Sequence, residues 1–220
     1  MTKRKLQRFA ELDTFSTVIH PLPFQNPVQH DLSGRWNVDF FEKEQPIVLE
    51  IGCGRGEYTI NLAQRYLHKN FIGIDIKGAR IWRGGKTAHE QQMKNVGFLR
   101  ITIDRLEYYF AKEEINEIWI TFPDPHPKLS RQNKRLTSPL YLDRYQQILG
   151  PGGIMHLKTD HEGLFDYTLE TIKERNAKIC IATKDLYNSE FLNEDLEIKT
   201  TYEQKFLLEG KKICYLKWKF

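Results

Sequence analysis

A glycine-rich segment preceded by an acid stands near residue 50 of the 220-residue chain. It reads Glu-Ile-Gly-Cys-Gly-Arg-Gly over residues 50–56, and alternate glycines let a ligand approach the backbone where a helix begins. A dinucleotide-binding fingerprint needs glycine three positions after Gly54, where this chain has Glu57, and no Lys-Ser or Lys-Thr pair follows. The segment therefore favours a ligand without phosphate. Glu50 gives it an anionic lining suited to a positively charged ligand.

Carboxylates end the next two apolar runs. Asp75 closes the run at residues 70–75, where an acid can accept hydrogen bonds from both hydroxyls of a ribose. Asp104 follows the run at residues 96–103, in a position to meet the edge of an adenine ring. These acids and the glycine segment predict a nucleoside-binding site. The simpler alternative is a glycine turn flanked by helix-capping acids.

A stiff proline-rich loop follows the apolar run at residues 117–122. It reads Phe-Pro-Asp-Pro-His-Pro-Lys over residues 122–128, and each proline fixes its own backbone angle and restricts the residue before it. Asp124 is therefore held in a defined place. Basic residues stand at the end of this loop and directly behind it, namely Lys128, Arg131, Lys134 and Arg135. Cations here can neutralise phosphates and orient an RNA, although a solvated basic loop has the same composition.

These motifs resemble those of a known enzyme family. The glycine segment with Asp75 is similar to the first two motifs of class I methyltransferases that use S-adenosylmethionine. The loop at residues 122–136 closely resembles the Phe-Pro-Asp-Pro-Trp-Pro-Lys signature, with its following basic cluster, of bacterial tRNA (guanine-N7)-methyltransferases. Two later segments add to the resemblance: His-Leu-Lys-Thr-Asp at 156–160 and Thr-Thr-Tyr-Glu-Gln-Lys-Phe at 200–206. The four motifs occur in the family's order.

The resemblance implies a role for each matching residue. For the methyl donor S-adenosylmethionine it assigns Glu50, Gly52, Gly54, Asp75, Asp104 and Asp124. For the substrate guanosine it assigns Lys128, Asp160, Thr200, Thr201, Tyr202 and Glu203. For the rest of the RNA it assigns Arg131, Lys134 and Arg135.

The chain departs from the family's pattern at three positions of the proline-rich loop. His126 stands where the family usually has tryptophan, Ser130 where it has arginine and Asn133 where it has lysine. The two lost cations are expected to weaken RNA binding more than the chemistry. Arg131 and the basic N-terminal residues can compensate.

The reaction implied by the resemblance is methylation of guanine N7 in the variable loop of tRNA, at position 46. The N7 lone pair is free, so attack on the methyl group requires no general base. Positioning the two reactants can lower the barrier by about 7–11 kcal/mol. A carboxylate that accepts from N1–H and the exocyclic amine also stabilises the charge reaching the purine. Asp124 is the first candidate for this catalytic role and Asp160 the second; the alternative is that Asp124 only holds the methyl donor.

Strands that alternate with helices must position these residues. Apolar runs at 46–51, 70–75, 96–103, 117–122 and 153–158 predict strands, and segments 56–68, 78–94, 104–112, 138–149 and 161–175 predict helices. Such alternation gives a mostly parallel sheet with helices on both faces. Strands at 178–183 and 212–220 follow. We predict an α/β, Rossmann-like class I methyltransferase fold with a seven-stranded sheet and an antiparallel C-terminal strand, which binds its ligand at the carboxyl ends of the strands.

The first forty residues differ from the rest of the chain. They carry a basic head (Lys3, Arg4, Lys5 and Arg8), followed by Pro21, Pro23 and Pro27, which oppose a regular helix. We predict an irregular N-terminal arm over residues 1–40, wrapped on a single methyltransferase domain over residues 41–220.

Composition narrows the classes of function. Hydrophobic residues make up 40% and charged residues 28%, a soluble globular balance, with no apolar run of membrane-spanning length. The basic N-terminal segment leads into no apolar stretch with a cleavage site, so we expect no secretory leader. Three scattered cysteines and seven histidines show no disulfide or metal-ligand spacing. We therefore expect no metal, no membrane and a cytoplasmic location. The net charge of +4 permits a polyanionic partner, here tRNA; whether the protein is a monomer or a homodimer stays open.

Three other functions fit parts of the pattern. A DNA amino-methyltransferase would carry an Asn/Asp-Pro-Pro-aromatic loop, whereas Pro125 is followed by His126. A small-molecule methyltransferase would share the fold without needing the basic loop. A catalytically silent RNA-binding subunit would not need an intact glycine segment with its acids. The prediction is a tRNA-methylating enzyme, with other nucleic-acid or small-molecule methyltransferases as the alternative.

Overall fold

The computed structural model describes residues 3–21 and 28–220, with the backbone alone for residues 3–5. In chain order its elements are α1 (Lys3–Leu12), β1 (Val18–Ile19), β2 (Ile47–Ile51), α2 (Glu57–Arg65), β3 (Asn70–Ile74), α3 (Gly78–Glu90), β4 (Val96–Leu99), α4 (Leu106–Tyr109), β5 (Ile115–Thr121), α5 (Pro139–Ile148), β6 (Leu149–Thr159), α6 (Glu162–Glu174), β7 (Lys178–Thr183), α7 (Thr201–Leu208) and β8 (Cys214–Lys219). A π-helical turn spans Trp36–Phe40, and short 3-10 turns span Ile103–Arg105, Leu129–Lys134 and Leu186–Asn188. Among the described helices, none combines the length and hydropathy that crossing a membrane requires.

A single mixed sheet organises these elements in the order β1-β4-β3-β2-β5-β6-β8-β7. Strands β1 to β6 pair in parallel, and β8 runs antiparallel to both β6 and β7. The predicted Rossmann-like sheet with its antiparallel C-terminal strand is therefore confirmed. The predicted count of seven strands was one too low. The eighth is β1, which pairs Val18 with Phe98 at the sheet edge and is too short, at two residues, to show a periodic pattern in sequence.

The central strands are buried on both faces. Every residue of β2 is buried, and its side chains alternate between two apolar clusters: Ile47, Leu49 and Ile51 join one, and Val48 joins the other. Successive residues of a strand point to opposite faces, so these clusters are the two interfaces between the sheet and its helices. A near-continuous apolar run is what a doubly covered parallel strand requires.

The order in which successive strands are added to the sheet reverses at β2, and we call this place the switch point. Strands β3 and β4 lie on one side of β2, and β5 and β6 lie on the other. In such sheets the crevice at the carboxyl ends of the strands flanking the reversal is where ligands bind. The glycine segment at 52–56 follows β2 and the proline-rich loop at 122–128 follows β5. The fold therefore brings two of the predicted motifs to this crevice.

The N-terminal segment is more regular than predicted. Within its described part, α1, β1 and the π-helical turn at Trp36–Phe40 replace the expected irregular chain. Helix α1 ends before Pro21, so proline does not interrupt it; Pro23 and Pro27 lie outside the described residues. Leu12 and Trp36 are fully buried, and Trp36 Nε1 donates to the carbonyl of Tyr109 at 2.8 Å. The segment packs on the sheet and its helices, and its description as an arm separate from residues 41–220 stays a prediction.

Candidate active site

The glycine segment after β2 adopts a backbone that side chains disfavour. Gly52, Gly54 and Gly56 have φ angles of +72°, +57° and +71°. A Cβ built on Gly52 or Gly54 meets no atom closer than 3.9 Å, so both glycines face open space. A Cβ on Gly56 would lie 2.5 Å from a ring carbon of Phe98. The first two glycines therefore leave room for a ligand, and the third is required by packing.

Glu50 lies beneath this segment and not on the surface of the site. Its carboxylate accepts hydrogen bonds from the Thr59 amide at 2.8 Å, from the Thr59 hydroxyl, and from the Thr121 hydroxyl at 2.8 Å. Burial raises the pKa of Glu50 to about 7, and the three hydrogen bonds oppose that rise without overcoming it. Glu50 thus joins the end of β2 to α2 and to the end of β5. Its carboxyl group therefore titrates close to neutral pH.

Asp75 braces the glycine segment from the end of β3. One carboxylate oxygen accepts from the amide of Gly54 at 3.0 Å, and the other accepts from the amide of Lys77 at 2.7 Å. Each oxygen keeps a lone pair for a further donor, such as a ribose hydroxyl. Asp104 is exposed in the 3-10 turn at Ile103–Arg105, where Arg144 donates to its main-chain carbonyl at 2.6 Å. Asp75 is therefore in contact with the glycine segment, and Asp104 lies at the surface of the next strand end.

The proline-rich loop after β5 contains two non-glycine residues in left-handed conformations. Phe122 has a φ of +49° and His126 a φ of +40°, conformations that cost about 1–3 kcal/mol each and recur at functional sites. Between them, Asp124 has a side chain that is 72% exposed, and one of its oxygens accepts from the His126 amide at 3.1 Å. The strained loop presents one free carboxylate oxygen to solvent at the end of β5.

Arg135 holds this loop in place. Its guanidinium donates to the carbonyls of Pro125 at 3.1 Å and His126 at 3.2 Å, and it lies 4.2 Å from the centre of the Tyr167 ring. Arg135 was assigned to RNA, but the structure buries it and commits its donors to the loop. Lys128, Arg131 and Lys134 are exposed, as RNA contacts must be. The predicted basic group thus consists of three exposed cations and one buried arginine that donates hydrogen bonds to the proline-rich loop.

The segment at 200–203 begins helix α7 and is fixed to α2. Thr200 caps the helix by accepting from the Glu203 amide at 3.1 Å. The Thr201 amide donates to a Glu57 oxygen at 3.0 Å, and the Thr201 hydroxyl donates to the other oxygen. Tyr202 is half exposed, with the guanidinium of Arg80 placed 5.8 Å from its ring centre. Of the six residues assigned to the guanosine, Thr200, Thr201 and Tyr202 therefore lie at the start of α7, and Thr201 is bonded to Glu57 in the first turn of α2.

Glu203 and Lys158 form an ion pair with no exposed surface. Lys158 Nζ lies 2.7 Å from Glu203 Oε1, and it also donates to the carbonyls of Leu196 and Ile198. The Tyr187 hydroxyl donates to the same Glu203 oxygen at 2.8 Å. Burial lowers the pKa of Lys158 and raises that of Glu203. In this conformation Glu203 is covered, so its assignment to the guanosine stays a prediction.

Asp160 lies at the end of β6 and is engaged by a cation. The ammonium of Lys211 is 2.7 Å from one of its carboxylate oxygens, and the side chain is mostly buried. Asp160 has lone pairs left for a substrate, but its charge is already partly neutralised. This makes Asp124 the less neutralised of the two candidate catalytic carboxylates.

A cavity of about 980 Å³ opens at the switch point. Its lining includes the glycine segment, the first turn of α2, Thr121 and Phe122 at the end of β5, and Thr200, Thr201 and Tyr202. Arginines from α1 and α3 complete it. The structure therefore unites the predicted donor segment with most of the guanosine segment around one space. Asp75, Asp104, Asp124, Lys128 and Asp160 lie on neighbouring strand ends outside this lining.

Several residues of the site carried no role in the sequence prediction. Glu57 fixes Thr201, Thr59 and Thr121 satisfy Glu50, and Lys158 holds Glu203. Two of them left a sequence signal. Lys158 follows the apolar residues Met155 and Leu157 in a central strand, where an unpaired ammonium is too costly to bury. Glu57 follows the glycines directly, in the first turn where helices favour acids.

The described residues contain no group of three or more metal-ligating side chains. Cys53, Cys180 and Cys214 are free thiols, and burial raises the pKa of Cys53 well above its usual range. Burial also raises the pKa of Cys214 to about 11, so neither Cys53 nor Cys214 is an activated nucleophile in this structure.

Known proteins resemble this chain in sequence and in structure. The family model described as "Putative methyltransferase" matches residues 44–216. The tRNA (guanine-N(7)-)-methyltransferase of Christiangramia forsetii is 47% identical, covering 99% of this chain and 98% of the relative. The enzyme of the same name from Bacteroides fragilis is 44% identical over 99% of this chain and 86% of its own length. The crystal structure of the 16S rRNA methyltransferase KamB shares the fold, with a TM-score of 0.66 at 15% identity over 90% of this chain and 99% of that chain.

Proposed function

Because the chain belongs to the tRNA (guanine-N(7)-)-methyltransferase family, we propose that it transfers a methyl group from S-adenosylmethionine to N7 of a guanine in tRNA. The observation that carries the proposal is the cavity at the switch point. Around it the glycine segment, which suits a nucleoside with positive charge, meets the Thr200–Tyr202 segment that the family resemblance assigns to guanosine. We further propose that the guanine is the one at position 46 of the variable loop and that the enzyme acts in the cytoplasm.

The donor set fits S-adenosylmethionine. Gly52 and Gly54 border open space, and Asp75 keeps acceptor capacity for ribose hydroxyls beside Gly54. Glu50 sits below with a pKa of about 7, so a bound positive charge favours its ionised form. When bound, S-adenosylmethionine supplies a methyl group on a positively charged sulfur. Gly52, Gly54 and Asp75 would hold it, Glu50 would supply negative charge from beneath them, and Asp104 is proposed for its adenine.

The protein's work in the reaction is positioning and charge stabilisation. The N7 lone pair forms the new bond to the methyl carbon as the carbon–sulfur bond breaks, so positive charge passes from sulfur to the purine and the donor leaves as a neutral thioether. No proton has to move before attack. We assign Asp124 to accept hydrogen bonds from N1–H and the exocyclic amine, which become stronger donors as the purine gains charge. Its free carboxylate oxygen and the rigid loop around it support this role.

Exposed cations beside the reacting base would hold the RNA. Lys128, Arg131 and Lys134 follow Asp124 and are open to solvent. Lys128 is proposed to contact the guanosine and the other two the phosphate backbone, where contacts set register and orientation without reading sequence. The target base must leave its stack to enter the cavity, at a cost of a few kcal/mol.

The test uses labelled S-adenosylmethionine and unmodified tRNA transcripts that carry guanine or adenine at position 46. Products are mapped by chemical cleavage at N7-methylguanine. Transfer to the guanine transcript with cleavage at position 46, and none to the adenine transcript, is expected. Label retained on the adenine transcript would reject the position but keep the enzyme class. No transfer to any tRNA by protein that binds S-adenosylhomocysteine would reject the proposed substrate.

A further inference from the structure

The cavity has a second charged wall, on the side of the glycine segment opposite the proline-rich loop. Arg80 and Arg83 lie on α3, and Arg8 comes from α1, which packs against α3. Residues three apart on a helix share a face, so Arg80 and Arg83 both turn to the cavity. We call Arg8, Arg80 and Arg83 the arginine wall. Since α3 follows β3 and the proline-rich loop follows β5, the two cationic regions flank β2 from opposite sides.

The arginine wall is not neutralised. Within the part of the chain that the structure describes, none of its three guanidinium groups lies within ion-pair distance of a carboxylate, whereas Lys86 on the same helix pairs with Glu90. Arg8 and Arg83 are exposed. Neighbouring cations without counter-ions raise the local positive potential and favour an anionic partner over a structural role.

Two of the guanidinium groups are held by aromatic rings. The central carbon of Arg8 lies 4.5 Å from the centre of a Trp82 ring, and that of Arg80 lies 5.8 Å from the Tyr202 ring centre. Trp82 is itself fixed, because its indole N–H donates to Glu11 at 2.5 Å. Stacking restrains the plane of a guanidinium and leaves its N–H edge free, which is the geometry that binds phosphate oxygens in pairs.

We propose that the arginine wall binds phosphates of the RNA strand next to the methylated guanosine. The inference rests on the proposed function and adds a surface to it. Because the wall is spread over two helices and open to solvent, it suits an extended phosphodiester chain and not one enclosed phosphate. With Lys128, Arg131 and Lys134 on the other side of β2, it would hold the strand on both sides of the flipped base and draw that base toward the cavity.

The test compares a double variant with a charge-matched control. Arg8→Ala/Arg83→Ala removes two exposed arginines of the wall and spares Arg80, whose guanidinium lies 5.8 Å from the Tyr202 ring centre. Lys94→Ala/Lys178→Ala removes two exposed lysines, one just before β4 and one at the start of β7. Both lie at the edge of the sheet opposite to the carboxyl ends of the parallel strands, away from the cavity. The measurements are methylation kinetics on a tRNA transcript, the salt dependence of tRNA binding, and the affinity for S-adenosylhomocysteine.

For the arginine variant we expect KM for tRNA to rise about tenfold and the slope of log K against log salt to fall by about 1.5–2. Its kcat and its affinity for S-adenosylhomocysteine stay unchanged, and the lysine control behaves as the wild type. If the arginine variant kept the salt slope and the KM of the wild type, the inference would be overturned. The proposed function would still stand in that case, provided that the wild-type protein methylates tRNA. A selective loss of S-adenosylhomocysteine affinity would also overturn it, because the arginines would then serve the methyl donor. Failure of the wild type to methylate tRNA would instead reject the proposed function.

Discussion

The ammonium of Lys158 lies 2.7 Å from the carboxylate of Glu203, and neither side chain has any exposed surface. The pair joins the end of β6 to the first turn of α7, which carries Thr200, Thr201 and Tyr202 to the cavity. Burying two charges is costly, and pairing them recovers much of that cost only when the remaining donors and acceptors are satisfied. Here two main-chain carbonyls accept from the ammonium and the Tyr187 hydroxyl donates to Glu203 Oε1, whereas Glu203 Oε2 has no hydrogen-bond partner among the described residues. The pair therefore fixes where α7 begins.

Lys158→Met leaves a buried carboxylate without its partner, so the free energy of unfolding is expected to fall by about 3–5 kcal/mol. Lys158→Met/Glu203→Leu removes both charges and is expected to recover most of that loss. Urea titration measures both values. Equal destabilisation of the single and double variants would contradict this account. The loss would then come from the changed volume of the apolar side chains and not from the unpaired charge.

The pKa of Glu50 predicts a pH dependence of cofactor binding. Its folded pKa of about 7 exceeds the ordinary value of 4.5, so its contribution to stability is full below pH 4.5 and is lost as the pH rises through 7. A positively charged ligand favours the ionised form. Affinity for S-adenosylmethionine should therefore increase from pH 6 to pH 8, with proton release near pH 6.5. Titration calorimetry in two buffers of different ionisation heat measures both.

Glu50→Gln is the control for that pH dependence. It keeps the size of the side chain and removes the titration, so its affinity is expected to be lower and to change little between pH 6 and pH 8. A variant that retains the wild-type pH dependence would assign the titration to another group.

Much of the fold was predictable, because it depends on local patterns. The near-continuous apolar run of β2 and the helix-length segments between strands predict a doubly covered parallel sheet, and the acids and glycines at strand ends predict where a ligand binds. What the sequence did not reveal depends on long-range contacts. Arg135 stands in a basic segment typical of RNA-binding loops, yet it is buried because the carbonyls of Pro125 and His126 accept hydrogen bonds from its guanidinium. Helix α7 was not predicted, since its residues were assigned to substrate by motif alone.

Arg135 is expected to affect the chemical step through the loop that it holds. Arg135→Ala removes donors to two carbonyls beside Asp124, and a misplacement of about 1 Å can lower a rate about 100-fold. We expect a comparable loss of kcat at saturating tRNA, and Arg135→Lys to restore little of it, because one ammonium does not reproduce the guanidinium fork. Single-turnover methylation measures the step.

The matched control is Arg131→Ala, an exposed arginine of the same segment. It is expected to raise KM for tRNA and to leave kcat near the wild-type value. If both variants changed only KM, Arg135 would act as an RNA contact after all and its position in the loop would have no catalytic consequence.

Asp124→Asn distinguishes the two roles open to this residue. If the carboxylate accepts from the guanine, kcat falls about 100- to 1000-fold, because a neutral amide stabilises the purine's charge less well, and the affinity for S-adenosylhomocysteine is unchanged. If it only holds the methyl donor, that affinity falls and kcat at saturation is largely retained. We expect the first result, measured by rapid-quench kinetics together with calorimetry. Asp160→Asn is the companion variant, and a larger kcat effect there would transfer the role to Asp160.

Two glycines of the same segment are expected to fail in different ways. Alanine at Gly56 would place its Cβ 2.5 Å from the Phe98 ring on a backbone with φ of +71°, so Gly56→Ala should lower the free energy of unfolding by about 2–4 kcal/mol. Alanine at Gly54 has a φ of +57° but open space around its Cβ, so Gly54→Ala should cost only about 1 kcal/mol. That same open space is where the methyl donor is proposed to lie. Gly54→Ala should therefore lose affinity for S-adenosylhomocysteine by far more than its stability loss explains, whereas a Gly54→Ala variant that binds normally would place the donor away from this glycine.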